Sequence, residues 1–158
     1  MSEVLQAIYT GDREEAERLA QGRTLSVFEA AALGRTERVR ELLDEDRSLA
    51  NAFGDDGFQP LGLACFFGHV DTARLLLERD ADPNTLAKNE HIQTNALHAA
   101  AASENKAPDT RYELCEMLLE RGADPNLRQG GGSRPIDSAR MTGHEKLERL
   151  LVEHGATG

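Results

Sequence analysis

The chain has 158 residues, a formal net charge of −10 and a pI near 4.9. That length suits one domain with a sizeable core. The acidic balance argues against nucleic acid and anionic membrane as partners, because neutralising phosphate needs clustered Lys and Arg. No apolar run is long enough to cross a bilayer, and no basic-plus-apolar leader follows Met1, so a cytoplasmic protein is expected.

Ser2–Ala20 reads as a helix pair, with Gly11 dividing Val4, Leu5 and Ile8 from Ala16 and Leu19. Arg13, Glu14, Glu15, Glu17 and Arg18 give its second helix a charged outer face. A polar end unit of that kind would close a stack of repeats. In Ser26–Asn51, Ser26 and Glu29 form a capping box, Gly34 ends the first helix, and Val39, Leu42 and Leu43 line the second. Asp44-Glu45-Asp46 reads as a solvated face. Gly54-Asp55-Asp56-Gly57 supplies a turn; it lacks the oxygen spacing of a calcium loop.

Gly57–Asn84 carries two apolar patterns of helical spacing on either side of Gly68: Leu61, Ala64 and Cys65, then Val70, Ala73, Leu76 and Leu77. Pro60 suits a first helical turn. Helices of about ten residues are marginal alone in water, so this unit needs neighbours. A fourth unit runs from about Gln93 to Asn126, after a turn, Thr85–Ile92, that is longer than usual. Inside it, Glu104–Asp109 reads as a loop inserted between the helices, with Pro108 in the loop and Thr110-x-x-Glu113 as a second capping box. Arg134–Gly155 forms a last pair with a polar outer helix.

These units repeat. Gly34-Arg35, Gly68-His69 and Gly143-His144 punctuate them, and Ala81-Asp82-Pro83-Asn84 recurs as Ala123-Asp124-Pro125-Asn126. Leucine runs recur at 42–43, 75–77, 118–119 and 150–151. Over nearly its whole length the sequence resembles the ankyrin-repeat family, with its period of about 33 residues and its T-P-L-H signature. The resemblance implies an all-α repeat solenoid: one domain over residues 1–158, with about five stacked helix pairs and short finger turns. Its units span roughly 2–22, 23–53, 54–88, 89–128 and 129–158, the first and last being caps. The signature itself is uneven. Leu25, Ser26, Val27 and Phe28 replace it in the second unit, Gln59 and Gly62 break it in the third, and Asn95-Ala96-Leu97-His98 keeps its Leu and His in the fourth. His98, His69 and His144 are read as structural.

No constellation of catalytic residues is recognisable. Gly130-Gly131-Gly132-Ser133 lacks the strand and Lys of a phosphate loop and reads as a finger tip. The histidines show no metal-ligand spacing, and Cys65 and Cys115 fall at inward positions as reduced core thiols. The expectation is a protein that is not an enzyme and has no cofactor or metal.

In ankyrin-repeat proteins the partner usually lies against the concave side, on finger turns and first-helix ends. Carried across by alignment, the helix-end positions include Tyr9, Leu33, Phe66, Phe67, Ser103 and Met141, and the third finger offers Phe53, Asp55, Asp56 and Phe58. Four of the five phenylalanines lie between 53 and 67, beside acidic residues, and at least two of them should be exposed. The reading is a monomeric protein–protein interaction module whose partner has a basic surface. The alternatives are a regulatory or inhibitory subunit of an enzyme, and a homodimer closed through the Phe patch.

Overall fold

A computed structural model describes residues 2–105 and 107–157, and among them every regular element is helical. The helices come in pairs: α1 (Glu3–Tyr9) with α2 (Arg13–Ala20), α3 (Val27–Leu33) with α4 (Thr36–Glu45), and α5 (Pro60–Phe66) with α6 (Val70–Glu78). Two more follow, α7 (Ala96–Ala101) with α8 (Pro108–Glu120), and α9 (Pro135–Met141) with α10 (Glu145–Glu153). First helices pack in one row, α1 on α3, α3 on α5, α5 on α7, α7 on α9. A second row runs α4, α6, α8, α10. The expected all-α repeat solenoid is the fold observed.

The core is continuous through both rows. Leu43, Leu76, Leu97, Leu114, Leu118, Ile136, Leu147 and Leu151 are fully buried. Helices of six to thirteen residues persist because each covers its neighbours' apolar faces. Gly11, Gly34, Gly68 and Gly143 take left-handed backbone at the turns within four of the helix pairs. Gly34 has φ +73°, and a Cβ there would stand 2.5 Å from the His69 ring. His69 Nε2 in turn reaches the Ala32 carbonyl at 2.8 Å, and His144 Nε2 the Pro108 carbonyl at 2.9 Å. Both Gly-His turns are therefore structural, as expected.

An asparagine ladder ties successive units along the opposite edge. Asn51 Nδ2 donates to the Asp80 carbonyl at 2.9 Å while its Oδ1 accepts from Asp82 N–H at 2.7 Å. Asn84 does the same with Gly122 and Asp124, and Asn126 with Gly155 and Thr157. Each amide thus satisfies a helix-end carbonyl and a turn N–H of the following unit.

The insertion differs from the expectation. Helix α8 starts at Pro108, with Ala107 as its N-cap and no side-chain cap, so Pro108 and Asp109 belong to the helix and Thr110 lies within its first turn. Proline at the first helical position loses no hydrogen bond, which is why the helix begins there and Thr110 caps nothing. Ser103 and Glu104, between the two helices, fold back on α5: Glu104 N–H and Ser103 Oγ both donate to the Phe66 carbonyl at 2.8 Å. Lys106, within the segment expected as an insertion, lies outside the described residues.

Candidate partner-binding site

Side chains from three units meet around one cleft of about 580 Å³. Helix α1 supplies Tyr9 from its last turn. Its Oη donates to Asp56 Oδ2 at 2.7 Å across two units, and its ring stacks on Phe67 with centroids 6.3 Å apart. Burial, then the Asp56 hydrogen bond and charge, push the phenol well above its ordinary pKa, so it remains a donor at physiological pH. Phe58 meets Tyr9 edge-on at 6.2 Å, and Phe66 meets Phe67 edge-on at 5.0 Å. Such edge contacts suit aromatic quadrupoles.

The third finger is held by its own polar groups. Gly57, at φ +84°, closes the turn onto the Gly54 carbonyl at 2.9 Å, and Asp56 Oδ1 accepts from Phe58 N–H at 3.2 Å. The longer fourth finger lies along it: Lys88 N–H donates to the Gly57 carbonyl at 2.8 Å and Asn89 Nδ2 to that of Asp56 at 2.8 Å. Asn89 Oδ1 accepts from both His91 and Ile92 N–H at 2.9 Å, which turns exposed Ile92 toward the cleft. Opposite, Arg13 of α2 pairs with Glu104 at 2.8 Å, so Glu104 of the fourth unit reaches back to the first.

Of the expected contact residues, Tyr9, Asp56, Phe58, Phe66 and Phe67 line this cleft. Phe66 is 41 % exposed and Phe58 half-buried. Phe67 is only 5 % exposed, because it fills the space between α1 and α5 and packs into the core. Ser103 is wholly buried, since its hydroxyl and backbone hold the helix end of α5 and the Arg111 guanidinium. Neither presents a side chain to a docking protein. Phe53 stands apart under the Lys88 ammonium, 4.1 Å from its ring centroid, and Leu33 packs half-buried on the core. Asp55 and Met141 are exposed and lie outside the cleft.

Sequence reasoning missed Gly62, Ile92 and Asn95, which also line it. Gly62 could have been found, because it breaks the T-P-L-H signature where His98 keeps it. His98 itself is 2 % exposed. Burial lowers its pKa, opposed by backbone groups of Ser133 and Leu127 in the next finger. The thiols of Cys65 and Cys115 are fully buried, and desolvation pushes Cys65 up to about 12 and Cys115 upward as well. They are poor nucleophiles.

A family described as "Ankyrin repeats (3 copies)" matches residues 2–87 and 27–129. This chain belongs to the ankyrin-repeat family. Among relatives, a cyclin-dependent kinase inhibitor 2A of Monodelphis domestica is 35 % identical over 143 residues, covering 89 % of this chain and 75 % of that protein. A cyclin-dependent kinase 4 inhibitor B of Rattus norvegicus is 30 % identical over 142 residues, covering 89 % of this chain and 98 % of that protein. The "Ankyrin repeat and SAM domain-containing protein 6" of Rattus norvegicus is 30 % identical over 128 residues, but the match spans only 14 % of its length. The ankyrin-repeat chain therefore corresponds to a small part of some relatives and to most of others. Ankyrin repeats are protein–protein interaction modules, and no helix among the described residues is long and apolar enough to cross a membrane.

Proposed function

We propose that this chain is a monomeric, non-enzymatic cytoplasmic module that binds a partner protein through the concave side of its solenoid, at the finger turns and first-helix ends. The observation that supports it is the exposed Phe66 ring beside Tyr9 and Asp56 at the mouth of an apolar cleft. An aromatic anchor ringed by polar groups is the usual makeup of an energetically dominant contact. The net charge of −10 favours a partner with a basic surface. The test is Phe66→Ala with Asp55→Lys in a tagged protein. Capture of the native partner should fall at least about tenfold, a loss typical of a dominant contact. The urea midpoint should change little, because both side chains are exposed. Undiminished capture would defeat the reading.

A second reading concerns what binding does. Two relatives matched over most of their length are named as inhibitors of cyclin-dependent kinases, which favours a regulatory or inhibitory role for this chain. Co-elution with a recombinant kinase of that class, together with lowered phosphorylation of its substrate, supports this; co-elution with unchanged turnover refutes inhibition. A sedimentation mass that doubles with concentration from 17.3 kDa would instead favour a homodimer closed through the phenylalanines.

A further inference from the structure

The cleft has a cause that can be named. Gly62 of α5 aligns with His98 of α7, and a Cβ built at Gly62 meets nothing within 4 Å. Where the fourth unit packs a buried imidazole, the third leaves open space bordered by Tyr9, Phe58, Ile92 and Ala99. The volume lies in the range of sites that enclose a drug-sized ligand, well beyond one side chain.

Charge completes the description. Asp56, Asp82 and Glu104 stand among the lining residues, and none of those residues is Lys or Arg; Arg13 reaches Glu104 from outside.

Building on the protein-binding reading above, we infer that this cleft takes a partner segment with two large apolar side chains flanked by Lys or Arg. The side chains fill the space that Gly62 leaves, and the cations meet the carboxylates of the lining.

The chain contains no tryptophan, so a tryptophan in a ligand reports on its surroundings without background. The probe is a capped tetrapeptide amide, arginine–tryptophan–leucine–lysine, titrated with the folded protein. Its emission should shift to the blue on binding. Gly62→Leu should weaken binding at least about tenfold by occupying the cleft, while its urea midpoint holds or rises because a helix-interior glycine has been replaced. A peptide with glutamate in place of both cations should bind at least about tenfold more weakly. Gly62→Ala, a better helix former with little bulk, should raise the urea midpoint and weaken binding less than Gly62→Leu does. Equal binding by parent and Gly62→Leu overturns the inference, as does no binding at all. So does 3-methylindole binding as tightly as the tetrapeptide, which would make the cleft a site for small apolar molecules. Loss of partner capture in Phe66→Ala with Asp55→Lys, but not in Gly62→Leu, would sink this inference and leave the concave-face reading standing; capture undiminished in the former sinks that reading alone.

Discussion

The third and fourth units differ at the last position of the repeat signature, Gly62 in one and His98 in the other. In α7, His98 is packed under the next finger, and its imidazole fills the space between two first helices. In α5, Gly62 offers only backbone, and the space beside it opens to the surface. Both helices are otherwise held in the same way, with a leucine (Leu61, Leu97) fully inside and short alanines facing the neighbours. At this position the fourth unit packs a buried side chain where the third borders a cleft. The fourth finger, longer than its counterparts, then builds a wall over that opening instead of packing shut.

Emptying the filled junction should have the largest effect. His98→Gly removes a fully buried ring and places glycine inside a helix, and should cost about 3 kcal/mol in urea unfolding. A loss under about 1 kcal/mol would mean that the ring contributes little packing. The same histidine, with His69, predicts a pH dependence. Burial holds both below their ordinary pKa in the folded chain. The unfolded chain therefore takes up more protons as the pH falls below about 6.5. Their contribution to stability is complete above that pH and is lost as the pH falls from there through the folded values. Urea midpoints should fall between about pH 7.5 and about pH 5, the range in which histidines titrate. The slope should flatten when His98 is removed.

The ladder on the other edge is what the two units share, so breaking it tests whether they are coupled elsewhere. Asn84→Ala deletes two hydrogen bonds to the fourth unit at once and should cost about 2 kcal/mol. Asn126→Ala should cost less, because its partners lie at the exposed end of the stack. Equal losses would argue that the stack unfolds as one cooperative unit.

The helices themselves were legible because their apolar spacing and glycine stops are local. Leu76, Leu77, Gly68 and the Ser26–Glu29 box each act within a few residues. The start of α8 was not, since Pro108 is equally at home in a loop or at a first helical position. Recurrence of Asn84 and Asn126 was plain, but its reason was hidden, because each amide bonds to residues some forty or thirty positions away. The same distance concealed the site. Aromatics and acids drew attention to Tyr9, Asp56 and Phe66, whereas Asn95 and Ile92 join them only once three units stack. Phe67 misled for a related reason. Its neighbour Phe66 points outward, and adjacent positions on one helix end face different ways.

The smallest expected effect returns to the same two units. Asp80 and Gly122 occupy matching places, just past α6 and α8, and both adopt left-handed backbone, with φ +69° and +90°. Glycine takes that conformation freely; aspartate does so under mild strain. Asp80 is the one non-glycine residue with positive φ among those described. Its carboxylate pairs with Arg47 at 2.8 Å, but both side chains are largely exposed, so the pair contributes little. Asp80→Gly should therefore raise stability by about 0.5 kcal/mol, less than the full relief of backbone strain because glycine also frees the unfolded chain. The reverse change, Gly122→Asp, should lower stability by a similar amount. Thermal melts of the two variants, run against the parent in one buffer, check the pair together. Shifts of opposite sign support matching helix ends in both units, and shifts of the same sign would show that Arg47, and not the backbone, decides what sits at position 80.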